Sequence, residues 1–144
     1  MNTCESVMTR NPVVCEPFDT VTAAAQLMKN ENVGSIPVVN DVVSRILRGI
    51  VTDRDLAMKV LADGCDPSST KVHEVMTVKV VTCYQDDDLQ KVLDLMSEYQ
   101  LRRIPVVNRD NRILGIIAQA DIATQLDQPE KVAGVVRDIS QENV

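Results

Sequence analysis

The chain repeats itself. Displaced by 68 positions, Val7-Met8-Thr9 falls on Val75-Met76-Thr77, Val13 on Val81, Cys15 on Cys83 and Asp19 on Asp87. Leu27-Met28 then falls on Leu95-Met96, and Ile36-Pro37-Val38-Val39-Asn40 on Ile104-Pro105-Val106-Val107-Asn108. These are 13 identities over the 34 positions from Val7 to Asn40, where ordinary residue usage gives roughly two. At a slightly shorter displacement, Gly49-Ile50 falls on Gly115-Ile116 and Asp55 on Asp121. A repeat of this length is a supersecondary unit that must cover its apolar face with a copy of itself. The expected body is pseudo-two-fold, with two equivalent clefts between its halves, and the clefts are where function is expected.

The 144 residues suffice for one compact unit, or two half-units sharing a core. Apolar content of 44% and charged content of 25% are those of a soluble globular protein. Aromatic residues are limited to Phe18, Tyr84 and Tyr99, so the core must be aliphatic, and the stacking platforms of single-strand nucleic-acid binders are missing. A net charge of −6 argues against a nucleic-acid partner while leaving room for one small anion held locally. No apolar run is long enough to span a bilayer, and the N-terminus lacks a signal-peptide centre, so a cytoplasmic protein without a membrane partner is expected. Cys4, Cys15, Cys65 and Cys83 form no Cys-x-x-Cys pair; reduced thiols acting as small apolar fillers are expected rather than a structural disulfide.

Each repeat reads β-α-β-β-α. The predicted elements of the first are a strand Val13–Cys15, a helix capped by Asp19-Thr20 and using Val21, Ala24, Ala25 and Met28, strands Ile36–Val39 and Ile46–Thr52, and a helix Asp53–Leu61 with Leu56, Val60 and Leu61 on its apolar side. The second retraces this with Val80–Cys83, a helix Asp88–Tyr99 using Leu89, Val92, Leu93 and Met96, strands Ile104–Val107 and Ile113–Ala118, and a helix from Gln119. Asn40-Asp41 and Arg109-Asp110-Asn111 supply hairpin turns. The expected organisation is repeat 1 over 6–62, a linker over 63–71, repeat 2 over 72–127, and a C-terminal helix and tail over 128–144, with Pro129 opening a helix Glu130–Ile139. The fold class is α/β (α+β): two such repeats in one module.

The sharpest local signal is Gly49-Ile50-Val51-Thr52-Asp53-Arg54-Asp55. An apolar strand empties directly into a helix, whose first turn presents unpaired N–H groups and positive partial charge, suited to a phosphate. Thr52 adds a hydroxyl, Arg54 a fixed positive charge, and Asp55 two oxygens able to accept from a vicinal diol such as ribose. The plainer reading is that Thr52 or Asp53 caps the helix and Asp55 complements its dipole, as any such junction requires. Asp86-Asp87-Asp88 precedes a helix and reads as capping rather than as a metal site. The single histidine, His73, has neither a second histidine nor a cysteine pair nearby, so no zinc site is expected, and no Gly-rich phosphate loop for hydrolysis is present. Met8, Met28, Met58, Met76 and Met96 read as core or pocket filler.

Met-Thr, a Val-rich strand, a helix, Ile-Pro-Val-Val-Asn and Gly-Ile-Val-Thr-x-x-Asp together resemble the CBS domain, named after cystathionine β-synthase. The resemblance covers Ser6 to about Leu126 as a tandem pair, and the chain is similar to the small stand-alone CBS-pair proteins of bacteria and archaea. It implies a non-catalytic, regulatory, ligand-sensing module for adenosine-type molecules: AMP, ADP, ATP, S-adenosylmethionine, occasionally a dinucleotide. No catalytic residue, catalytic cofactor or metal is implied. In that family the signature Asp holds the ribose and the Thr or Ser holds phosphate. The base lies against the other repeat. Carried onto this chain, the resemblance implies a main cleft of Thr52, Arg54 and Asp55 against Thr77, Val80, Val81, Leu101 and Arg102, with Arg103 reaching phosphate. It implies a second, weaker cleft of Asp121 against Thr9, Pro12, Val13, Val33 and Gly34. The second lacks a hydroxyl at Ala118 and has Gly34-Ser35 in place of the arginine pair, so a phosphate there would lack partners. A homodimer built on the helices of each repeat is the expected assembly, with the regulated protein partner unspecified. A ligand-free interaction or dimerisation module is the alternative.

Overall fold

The computed structural model describes residues 3–126; the expected helix Glu130–Ile139 lies outside them. In chain order the elements are α1 Cys4–Val7, β1 Thr9–Arg10, α2 Val21–Glu31, β2 Ser35–Val39, β3 Leu47–Thr52, α3 Asp53–Leu56, α4 Val72–Val75, β4 Cys83–Tyr84, α5 Leu89–Tyr99, β5 Arg103–Val107, β6 Ile113–Ala118 and α6 Gln119–Leu126. A π-helical turn, Ala57–Leu61, continues α3 without a break. The fold is mixed α/β with the helices and hairpins that the repeat predicts.

The chain divides into two compact units whose limits are not those of the sequence repeat. A central unit runs Val13–Val80; a split unit joins the residues up to Pro12 with those from Val81 onward. The lead segment of each repeat therefore packs into the unit built by the other repeat's strands. In the split unit the sheet order is β1-β6-β5-β4: β1 is antiparallel to β6, β6 to β5, and β4 runs parallel to β5. The central unit keeps the same scheme in reduced form. There β2 and β3 pair antiparallel, Thr77 bridges Ile50 of β3, and Cys15 bridges Val38 of β2 in parallel.

Glycine marks both crossings. A Cβ on Gly115 would meet the Thr9 carbonyl oxygen at 2.6 Å, and one on Gly49 would meet that of Thr77 at 2.8 Å, with the sulfurs of Met8 and Met76 close behind. The repeated Gly-Ile and the repeated Met-Thr are thus two halves of one contact, made twice. A backbone can approach this closely only where there is no side chain.

The repeated Asn closes each hairpin. Asn40 Oδ1 accepts the N–H groups of Asp41 and Ile46, and Asn108 Oδ1 those of Asp110 and Arg112. The repeated Asp does the same before each long helix: Asp19 Oδ2 accepts from Glu16 N–H and Asp87 Oδ2 from Tyr84 N–H, both at 2.8 Å. Thr20 and Asp88 then cap α2 and α5. Each helix ends on a left-handed residue, Asn32 or Gln100. The core of the split unit is built on Leu89, Val92, Leu93 and Met96 of α5 against Ile104, Val106 and Ile117. Each fully buried aliphatic side chain of this kind contributes about 1.5–3 kcal/mol of transfer free energy. The central core is lighter, with Val21, Ala24 and Met28 of α2 against Ile36, Val38 and Val51.

Several expectations need correction. Val13–Cys15 is not a strand, only the single Cys15 bridge, and the strand expected at Val80–Cys83 is the shorter, later Cys83–Tyr84. Ala25 is exposed, and Leu61 and Met58 are 79% and 54% exposed rather than core. The cause is shared: α2 and the α3 helix are amphipathic, and the sides that turn toward the sheet carry Val21, Ala24, Met28 and Val60, with Leu27 and Leu56 partly buried beside them. Residues 63–71, the expected linker, bond to the start of α2, where Val21 N–H donates to the Thr70 carbonyl and Thr22 N–H to that of Pro67.

Candidate functional site

The strand-to-helix junction of the central unit carries the predicted constellation. β3 ends at Thr52, which keeps an extended backbone and caps α3. Its hydroxyl accepts the Asp55 N–H at 3.0 Å, and Asp55 Oδ2 accepts the Thr52 N–H at 3.0 Å. This reciprocal pair is a capping box. The plainer reading of the motif is therefore realised in full, yet it does not exhaust the chemistry. The Thr52 hydroxyl serves as acceptor and keeps its own hydrogen for a further acceptor.

Asp55 is 8% exposed, and its carboxylate is held from three sides. Besides Thr52 N–H, Lys59 Nζ stands 3.0 Å from Oδ1. The Thr77 hydroxyl lies 3.4 Å from each oxygen. Lys59 also donates to the Val75 carbonyl at 2.9 Å, which ties the helix to α4. The structure thus brings Thr52, Asp55 and Thr77 together, as predicted, and adds Lys59. That residue was legible as the i+4 partner of Asp55, a spacing at which opposite charges meet on a helix. Arg54 is exposed beside this corner, its N–H bonded to Asp53 Oδ1. Asp53 N–H donates to the Gly34 carbonyl at 2.9 Å, so Gly34 lies at the same end of the central unit.

The remaining predicted residues divide between the units. Val80, Val13 and Val33 belong with Thr52, Arg54, Asp55 and Thr77 in the central unit. Val81, Leu101, Arg102 and Arg103 belong with Thr9, Pro12 and Asp121 in the split unit. There the matching junction is Ala118 to Gln119, and Gln119 N–H donates to the Arg102 carbonyl at 2.9 Å. The Gln119 side chain is buried, and its Nε2 finds no protein partner among the described residues. Arg102 and Arg103 are exposed. The acidic run is consumed residue by residue: Asp86 pairs with Arg109, Asp87 closes the turn and pairs with Lys91, and Asp88 caps α5. His73 is exposed with its ring against Phe18. Among the described residues no three His, Cys, Asp or Glu side chains cluster in a way that suits a metal ion, and no helix is long and apolar enough to cross a membrane.

A second feature of the central unit is a groove of about 590 Å³ between α2 and the α3 helix. Its walls are mainly apolar, including Ala25, Met28, Leu56, Ala57, Val60 and Leu61.

Comparison with known proteins agrees with this architecture. The CBS-domain family model matches residues 4–62 and again 72–128, and the chain belongs to that family as a tandem CBS pair. It is 36% identical over 144 residues to the CBS domain-containing protein YhcV of Bacillus subtilis, covering all of this chain and 99% of that protein. It is 34% identical over 128 residues to hypoxic response protein 1 of Mycobacterium tuberculosis, covering 89% and 87% respectively. The crystal structure of that protein with two coordinated zinc ions superposes with a TM-score of 0.77 over 88% of this chain and all of that one. CBSX2 of Arabidopsis thaliana in complex with AMP gives 0.75 at 25% identity, over 90% of this chain and 99% of that one. The CBS pair of MJ0100, in complex with 5′-methylthioadenosine and S-adenosyl-L-methionine, gives 0.73 at 27% identity over 88% and 97%.

Proposed function

We propose that this chain is a non-catalytic regulatory module whose main site binds an adenosine-type ligand, an adenine nucleotide or S-adenosylmethionine. In this reading Asp55 receives the ribose hydroxyls, and Thr52 and Arg54 receive phosphate. Thr77, whose hydroxyl lies 3.4 Å from both Asp55 oxygens, and Val80 belong to the same unit; Val81, Leu101, Arg102 and Arg103 are proposed from the family likeness alone. The observation that carries the reading is the fixed Asp55 carboxylate beside a Thr52 hydroxyl with an unspent hydrogen. Support comes from relatives of the same fold in complex with AMP and with S-adenosylmethionine. The weaker site proposed around Asp121, Thr9, Pro12, Val13, Val33 and Gly34 has no threonine at Ala118 and no arginine at Gly34. It therefore suits an uncharged adenosine moiety better than a phosphate.

A ligand that binds only the folded protein raises its melting temperature, by the equivalent of about 2.7 kcal/mol at a hundredfold excess over Kd. We expect at least one of AMP, ADP, ATP, S-adenosylmethionine and NAD to do so, and Asp55→Ala to abolish the shift. A flat panel, or shifts that survive Asp55→Ala, would transfer the assignment to the second reading, a ligand-free interaction module. Two observations favour that reading. The Asp55 carboxylate already has protein donors, and the apolar groove offers a surface for a second copy of the chain. Homodimerisation through that groove is compatible with either reading and is proposed for both.

A further inference from the structure

We propose that Cys4 and Cys83 form a reversible intramolecular disulfide, a redox modification site that tethers the N-terminal lead to the sheet of the split unit. Their Sγ atoms lie 3.5 Å apart, both side chains are buried, at 0% and 2% exposure, and both are free thiols. A disulfide is about 2.05 Å long, so the pair needs roughly 1.5 Å of closure. One partner is fixed and the other can move. Cys83 sits on β4, in register with Val106 of β5. Cys4 opens the four-residue α1, held by Cys4 N–H to the Asp87 carbonyl and Glu5 N–H to the Gln85 carbonyl. A single helical turn has little stability of its own, so this end of the chain opens locally without global unfolding. Opening admits a small oxidant and lets the Cys4 sulfur swing.

The chemistry balances with a low-molecular-weight disulfide as oxidant. The Cys4 thiolate attacks one of its sulfurs, the external S–S bond breaks, and one external thiol departs with a proton. Cys83 then loses its proton as its sulfur attacks Cys4 Sγ, releasing the second external thiol. Two protein thiols are oxidised and one external disulfide is reduced. The order follows from the local fields. The hydrogen bond with Cys83 holds the Cys4 thiol below its ordinary value, whereas that same bond and burial push the Cys83 thiol up. Cys4 is thus the first nucleophile and Cys83 the resolving thiol.

The repeat supplies an internal control. Cys15 occupies the position of Cys83 in the other copy and is also buried, but the residue matching Cys4 there is Val72, in the same core as Cys15. Only one of the two copies carries a thiol pair. The test is to incubate the reduced full-length protein with oxidised glutathione in native buffer, then denature, alkylate and map the peptides by mass spectrometry. The expected product is a Cys4–Cys83 cross-linked peptide that dithiothreitol removes, with Cys15 alkylated as in the untreated protein. In Cys83→Ala, Cys4 should stop at the mixed disulfide with glutathione. Four alkylated cysteines, separate glutathione adducts on Cys4 and Cys83 of the unmutated protein, or a cross-link that forms only after denaturation would each overturn the proposal.

Discussion

Asp55 and Cys15 show how burial changes the chemistry of a side chain that composition alone would leave ordinary. Asp55 is nearly inaccessible yet stays provided for, because a backbone N–H, a hydroxyl and an ammonium group converge on it. Lys59 is itself 45% exposed, so water screens the pair, and its stabilising value is at most about 1 kcal/mol. What Lys59 adds is position: it fixes the orientation of one carboxylate oxygen. Cys15 has no such donors around it; its own thiol donates to the Pro37 carbonyl at 3.9 Å. Burial, with a smaller contribution from nearby Asp19, pushes its thiol from the ordinary 9.0 up to about 12. The native state therefore holds this proton after the unfolded state has released it. The stability it contributes is complete below pH 9 and is lost as pH rises from 9 toward 12. Unfolding free energy should fall across that window by up to about 1.4 kcal/mol per pH unit from this thiol. Urea melts of wild-type protein and Cys15→Ala at pH 8, 9 and 10 measure it. Equal pH slopes for the two proteins would show that the thiol ionises as freely folded as unfolded.

Among the elements, the short lead strands depend most on particular residues. Neither β1 nor the Thr77 bridge is long enough to hold by pairing alone. Their docking depends on Gly115 and Gly49 allowing carbonyl oxygens within 2.6 and 2.8 Å of where a Cβ would stand. Gly115→Ala and Gly49→Ala should each destabilise by about 1–3 kcal/mol, the usual cost of overpacking, with Gly115→Ala the worse because its approach is tighter. The obstructing atom is backbone in both cases, so truncating Met8 or Met76 should not rescue. Chemical denaturation of the single and double variants checks both points; full rescue by Met8→Ala would mean that the sulfur, not the strand, sets the constraint. Gly49→Ala carries a further consequence. By shifting Thr77 it should loosen the Asp55 carboxylate, coupling a packing contact to the proposed site.

For the whole molecule, the groove between α2 and the α3 helix leaves Leu61 at 79% exposure, apolar surface that a second copy would cover. A symmetric dimer meets this need with one kind of contact made twice. The proposed dimer contact predicts that Leu61→Asp sediments as a monomer where the unmutated protein sediments as a dimer, with circular dichroism unchanged. An unaltered sedimentation profile would place the dimer contact elsewhere or nowhere.

The repeat, the hairpins closed by Asn40 and Asn108, the two long helices and the Thr52–Asp55 junction were all legible in the sequence. Each is encoded within a few residues by periodicity, turn chemistry or capping, which act locally. The pairing of lead and body was not. Both repeats carry the Met-Thr lead and the Gly-Ile strand, and only packing of the chain decides that Met8-Thr9 crosses Gly115 and Met76-Thr77 crosses Gly49. The same decision put Thr77 within reach of the Asp55 carboxylate and Cys4 against Cys83. Meetings between residues far apart in the chain depend on which surfaces are buried together, and no local pattern records that.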